Sequence, residues 1–165
     1  MTDKPTDFQR LLVTLSDASV RFIVVGGMAA IIHGSARTTF DLDVVYDRSG
    51  DNVQRLVAAL AELKPYLRGA PPGLPFSFDA ATISRGLNFT LETTAGDIDI
   101  LGEVSGGGTY DALLSETIDV ELFGHQCHCV TLRKLLQLKR AAGRRKDLES
   151  IAELEALLEE RERRG

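Results

Sequence analysis

Two adjacent glycines, Gly26 and Gly27, stand thirteen residues ahead of an Asp-Leu-Asp triplet, and this spacing fixes much of what the chain can fold into. Val20 to Val25 is a short apolar, β-branched run that stops at the glycines; Met28 to His33 is compatible with a helix that Gly34 closes. Leu42, Val44 and Tyr46 then alternate with Asp41, Asp43 and Val45, the period of a strand with two unlike faces. The reading is strand, glycine turn, helix, strand. A glycine turn that opens a helix lets backbone N–H groups approach an anion closely, and the helix N-terminus adds positive partial charge, so phosphate is the natural guest. On a strand, Asp41 and Asp43 share a face with Cα atoms roughly 6 to 7 Å apart, close enough for both carboxylates to reach one hard cation.

Taken singly, these pieces are an ordinary turn and a solvated strand face. A third carboxylate links them. Leu87, Phe89 and Leu91 alternate with polar neighbours, Thr93 to Gly96 supplies a turn, and Asp97 to Leu101 alternates again, which predicts a hairpin carrying Asp97 and Asp99 on one face. If this hairpin lies beside the Asp41 strand, four aspartates crowd together, and like charges at that spacing need cations. Elsewhere, Phe8 to Leu15 and Val53 to Lys64 have helical periodicity, and paired strands are expected at Ile118–Leu122 and Gln126–Val130 around Phe123-Gly124-His125. Helices are expected at Leu132–Ala142 and Leu148–Leu158, separated at Gly143. Four of the five prolines lie between Pro65 and Arg85, which is read as one irregular loop.

At 165 residues the chain fits one domain, with a core over about 20–130 and C-terminal helices over about 131–160. A net charge of −5 excludes a uniformly basic nucleic-acid binder, although seven of the nineteen basic residues cluster between Arg133 and Lys146. Within that strip Lys139 follows Leu135 and Leu136 on the buried edge of its helix, where a lysine needs an anionic partner. No run approaches the roughly 18 apolar residues of a membrane span, the start MTDKPTDFQR lacks the apolar centre of a secretory signal, and the expected location is cytoplasmic. The two cysteines, Cys127 and Cys129, fit a reducing compartment. With His125 they share a strand face, but there is no second ligand cluster and small buried cysteines pack well between strands, so zinc is discounted. His33 reads as a packing or capping residue.

The run VVGGMAAIIHGSARTTFDLDVVYD resembles the nucleotidyltransferase superfamily pattern, a Gly-Gly or Gly-Ser turn, an Asp-x-Asp strand and a later third Asp. It is more similar still to small bacterial AbiEii-like and minimal nucleotidyltransferase proteins, whose Arg-x-Thr-x-Asp-x-Asp is matched by Arg37, Thr39, Asp41 and Asp43, and whose Gly-x-x-Asp element is matched by Gly96 and Asp99. The segment KRAAGRRKDLESIAEL looks like that branch's C-terminal helical element. The resemblance implies an α/β, polymerase-beta-like nucleotidyltransferase fold: a short mixed sheet flanked by helices, with a C-terminal helical extension. It implies Asp41, Asp43 and Asp99 as catalytic ligands of Mg²⁺ or Mn²⁺, with Gly26, Gly27 and Lys139 contacting the nucleoside triphosphate and Arg37 contacting the triphosphate or the acceptor. The implied reaction is NMP transfer to an acceptor hydroxyl of RNA, protein or a small molecule, in a toxin–antitoxin or defence setting with a partner protein. Two alternatives stand beside it: an aminoglycoside-type adenylyltransferase, and a non-catalytic module that binds nucleotide or a partner. The chain departs from the pattern at Gly27, where many members carry serine, so phosphate contact there is expected from backbone N–H alone.

Overall fold

The computed structural model describes residues 5–165; the first four residues, part of the segment judged against a secretory signal and of the expected domain, lie outside the described residues. In chain order the elements are α1 (Phe8–Asp17), β1 (Phe22–Val25), α2 (Gly26–Ile32), β2 (Asp41–Tyr46), α3 (Gly50–Ala61), β3 (Tyr66–Leu67), α4 (Ala80–Arg85), β4 (Asn88–Thr93) and β5 (Gly96–Leu101). There follow β6 (Glu103–Val104), β7 (Gly108–Thr109), α5 (Tyr110–Leu113), β8 (Thr117–Leu122), β9 (His125–Val130), α6 (Leu132–Ala142) and α7 (Leu148–Arg164).

Seven strands form one mixed sheet in the order β3-β4-β5-β2-β1-β9-β8, and β6 and β7 form a separate ribbon. β1 runs antiparallel to β2, while β2 with β5 and β1 with β9 are parallel pairs. Strands β1 and β2 are rich in Val, Ile and Leu because they lie at the centre of the sheet: Ile23, Val24, Leu42 and Val44 are fully buried, as is Val130 at the end of β9. Helices α1, α3 and α4 pack on one another, and α2 packs on α6, which packs on α7, so the sheet has two helical coverings. Helix ends follow from local chemistry. The Asp7 carboxylate accepts from Arg10 N–H at 3.0 Å to start α1, Thr131 Oγ1 accepts from Lys134 N–H at 3.1 Å to start α6, and Gly143, at φ +62°, closes α6 in the left-handed region.

The segment 65–85 is not one irregular loop. It contributes the edge strand β3, paired with β4, and the helix α4, capped where the Asp79 carboxylate accepts from Thr82 N–H at 2.8 Å. Helix α3 stops at Ala61 and not at Lys64, which sits at φ +52° in the turn into β3. Helix α7 runs to Arg164, six residues beyond its apolar periodicity, with Arg164 Nε 2.9 Å from Glu160 Oε1 in its last turn. No helix among the described residues is long and apolar enough to cross a membrane.

Candidate active site

The parallel register of β2 and β5 builds the site. It sets Asp41 opposite Asp97 and Asp43 opposite Asp99, so each strand contributes two carboxylates to one sheet face. Oxygens of Asp41, Asp43 and Asp99 lie within 4.8 Å of one another, and no other trio of potential ligands converges this way among the described residues. Asp99 is the more enclosed of the β5 pair, its side chain 21% exposed against 40% for Asp97.

The glycine turn abuts this cluster. Gly26 adopts φ +66°, and a Cβ there would overlap the Asp43 carboxylate, so only glycine lets the turn pass beside it. A Cβ at Gly27 would overlap the Thr39 hydroxyl, which also lines the cleft and donates to the Asp41 carbonyl at 3.2 Å. Thr39 therefore fills the volume that a serine side chain at position 27 would need. A hydroxyl is present beside the turn after all, delivered from the neighbouring segment.

Crowding sets the electrostatics. Burial, followed by the charges of Asp41 and Asp99, pushes the Asp43 carboxyl up to about 8, with Lys139 pulling the other way. Asp41 is also raised, by burial and by Asp99, against the opposing pull of Arg68. Asp43 Oδ1 is buried without a hydrogen-bond partner. An orphaned carboxylate oxygen in an all-oxygen donor set is a poor structural element and a good ligand for a hard cation, so these residues fit a divalent metal.

The facing wall is basic. Lys139 of α6 has the anionic partner its position demands: Nζ lies 3.4 Å from Asp147 Oδ1, while Arg144 Nε donates to Asp147 Oδ2 at 2.7 Å. Burial would raise Asp147, but the hydrogen bond from Arg144, helped by Lys139, holds it below the usual carboxylate range. Only 4% exposed, Asp147 thus acts as a fixed post for two cations at the start of α7. Arg37, Lys139, Arg144 and Lys146 all line the same cleft as Asp41, Asp43 and Asp99, a space of about 390 Å³. Arg37 approaches Glu149 at 3.4 Å with both groups largely exposed, and Glu153 accepts from Ser35 Oγ at 2.5 Å and Ala36 N–H at 3.0 Å, which moors the segment before β2 to α7. A second hollow of about 280 Å³, with Val25, Leu101, Val104, Leu135 and Leu138 in its lining, adjoins the first across Asp43 and Lys139.

The sequence reading did not single out Arg68, which follows β3. Its Nη2 donates to Asp99 Oδ1 at 2.7 Å and to the Leu91 carbonyl at 2.8 Å, Nη1 lies 3.7 Å from Asp41 Oδ2, and Nε lies 3.3 Å from Asp97 Oδ2. The available signal was charge balance, since Arg68 is the only basic residue between Lys64 and Arg85 and four aspartates needed a counter-ion.

The other candidates have structural roles. Burial raises Cys127 and pushes the Cys129 thiol up to about 12, His125 pairs with Asp17 at 3.2 Å and His128 with Asp119 at 2.8 Å, so neither the thiols nor the imidazoles are presented to zinc. His33 is buried, its Nε2–H donating to the Val130 carbonyl at 2.7 Å, and burial lowers its pKa.

No family model matches the chain, and no curated protein matches it in sequence. Solved structures do. TM1012 from Thermotoga maritima, assigned as a nucleotidyltransferase, superposes with a TM-score of 0.58 at 16% identity over 88% of this chain and 91% of its own. The antibiotic-resistance factor ANT(2'')-Ia superposes with a TM-score of 0.53 at 14% identity, over 95% of this chain and 90% of its own. The same factor in complex with adenylyl-2''-tobramycin gives 0.52 at 14% identity, covering 96% and 97%. The chain has a nucleotidyltransferase fold, a mixed sheet flanked by helices.

Proposed function

We propose that this chain is a metal-dependent nucleotidyltransferase that transfers NMP from a nucleoside triphosphate to an acceptor hydroxyl. The observation that carries the reading is the juxtaposition, in one cleft, of three convergent carboxylates with a buried unpartnered oxygen and a wall of four cationic side chains. Mg²⁺ or Mn²⁺ held by Asp41, Asp43 and Asp99 would neutralise charge on the triphosphate and on the attacking and leaving oxygens. The protein supplies position. Lys139 and Arg144, braced by Asp147, and Arg37 and Lys146 at the rim would face the phosphates, and backbone N–H of the Gly26-Gly27 turn would donate to them. Asp99 takes the acceptor's proton as its oxygen bonds to the α-phosphorus, the Pα–O bond to the β-phosphate breaks, and pyrophosphate leaves.

A small-molecule acceptor is the second reading. It is favoured by the likeness to ANT(2'')-Ia, which extends over 97% of that chain in its complex with an adenylylated aminoglycoside. A toxin–antitoxin or defence role, with a partner protein, remains an implication of the resemblance at Arg37 to Asp43 and Gly96 to Asp99. Incubation with each labelled NTP, Mg²⁺ and fractionated RNA, protein and metabolites, with aminoglycosides as a separate arm, tests the proposal. Label should enter one fraction and disappear with Asp99→Asn. Binding of nucleotide without transfer to any fraction supports the non-catalytic module.

A further inference from the structure

We propose that Arg68 is the resident cation of the carboxylate cluster and that divalent metal enters by exchanging with its guanidinium. The inference rests on the metal-site reading above and concerns how that site is filled. Three observations support it. First, the guanidinium reaches three of the four aspartates, and two of these, Asp41 and Asp99, are the carboxylates that must turn toward a metal. A cation with about 2.1 Å oxygen bonds to both would sit against the guanidinium, so the two positive groups compete for the same oxygens.

Second, the fit of Arg68 is incomplete. Its Nε is buried and 3.3 Å from Asp97 Oδ2 without hydrogen-bond alignment, and it leaves Asp43 Oδ1 with no partner, so an unsatisfied buried donor and an unsatisfied buried acceptor stand in the same cluster. The guanidinium reaches Asp41 and Asp99 of the converging trio but not Asp43, whereas a small spherical ion between them can contact all three. Third, the backbone beneath Arg68 is fixed. Arg68 N–H donates to the Thr90 carbonyl at 3.0 Å, and β3 is registered on β4 at Tyr66↔Glu92 and Leu67↔Leu91. Exchange therefore involves only the side chain, which already lines the cleft and gains phosphate oxygens as bidentate partners when nucleotide arrives with metal.

The test uses the full chain with Mn²⁺ alone. Arg68→Ala should bind Mn²⁺ at least about tenfold tighter than the parent by calorimetry, because one competing positive charge is removed from a poorly solvated site. In the parent, the Arg68 Nε–H resonance should be protected from solvent exchange without metal and lose that protection on Mg²⁺ titration, a readout that needs no variant if Arg68→Ala fails to fold. Equal or weaker Mn²⁺ binding in a folded Arg68→Ala, or an Nε–H signal unmoved at saturating Mg²⁺, overturns the exchange and leaves the metal site standing. Absence of Mn²⁺ binding in parent and variant alike removes the metal reading, and this inference with it.

Discussion

Replacing Asp43 by Asn should stabilise the protein while abolishing metal binding, and the sign follows from its surroundings. Burial and the adjacent carboxylates raise the folded value of Asp43 to about 8, against 3.8 for the free group. A carboxyl raised by folding gives stability that is complete below about 3.8 and is lost as pH rises toward about 8, because the unfolded chain releases its proton first. At about 1.36 kcal/mol per pKa unit the full loss would approach roughly 6 kcal/mol, and solvent screening in the open cleft brings the expected figure to about 1–3 kcal/mol. Asn has the same shape and no charge, and Oδ1 of Asp43 has no hydrogen bond to forfeit. Urea denaturation of both proteins without metal should show Asp43→Asn about 1–3 kcal/mol more stable at pH 8 and nearly equal to the parent at pH 4.5. Calorimetry with Mg²⁺ should show no binding to the variant. A variant less stable than the parent at pH 8 would mean that Asp43 holds the fold together as an acceptor, and the ligand role would fail at that position.

Binding of ATP, GTP, CTP or UTP, followed by calorimetry, should be appreciable only with Mg²⁺ or Mn²⁺, since the carboxylates otherwise repel the triphosphate; metal-independent affinity would contradict the site. Lys139→Ala should weaken nucleotide binding by about 1–3 kcal/mol with less effect on metal, as expected for a charge-assisted phosphate contact. Asp147→Ala strips the post from Lys139 and Arg144 and should cost about 2 kcal/mol of stability in a thermal melt as well as nucleotide affinity; an unchanged melting temperature would refute the bracing role. Asp97→Asn should retain transfer in the labelled-NTP assay where Asp99→Asn does not, because Asp97 lies outside the converging trio.

The parts of this fold visible in the sequence were those with long periodic stretches. Strand β2 and the β4–β5 hairpin announced themselves by alternation, and the two Asp-x-Asp faces they carry brought four aspartates together, among which the resemblance at Gly96 and Asp99 singled out the trio. Helix α4 did not, since it is six residues long with one buried side chain, Ile83, and prolines precede it. Its Asp79 cap and the closing Gly86 were the only local marks. The ribbon of β6 and β7 was hidden for a similar reason: glycines at 106–108 look like a break, and two-residue strands have no period to detect. Lys139 could be placed because an amphipathic helix defines its buried edge, whereas its partner Asp147 lies in a short 3₁₀ turn beyond Gly143, where no periodicity points inward. Arg68 was the largest omission, because a counter-ion is specified by three-dimensional charge balance and not by spacing along the chain.

The interlock of Gly27 with Thr39 has a consequence for how such chains diverge. The two positions share one pocket of space, so each sets the admissible size of the other: a serine at 27 requires a residue without a side chain, or a shifted backbone, at 39. Neither exchange alone is neutral, and the pair should change together across descendants of this sequence. A motif that demands serine after the first glycine would pass over this chain, although the Thr39 hydroxyl stands beside the same turn.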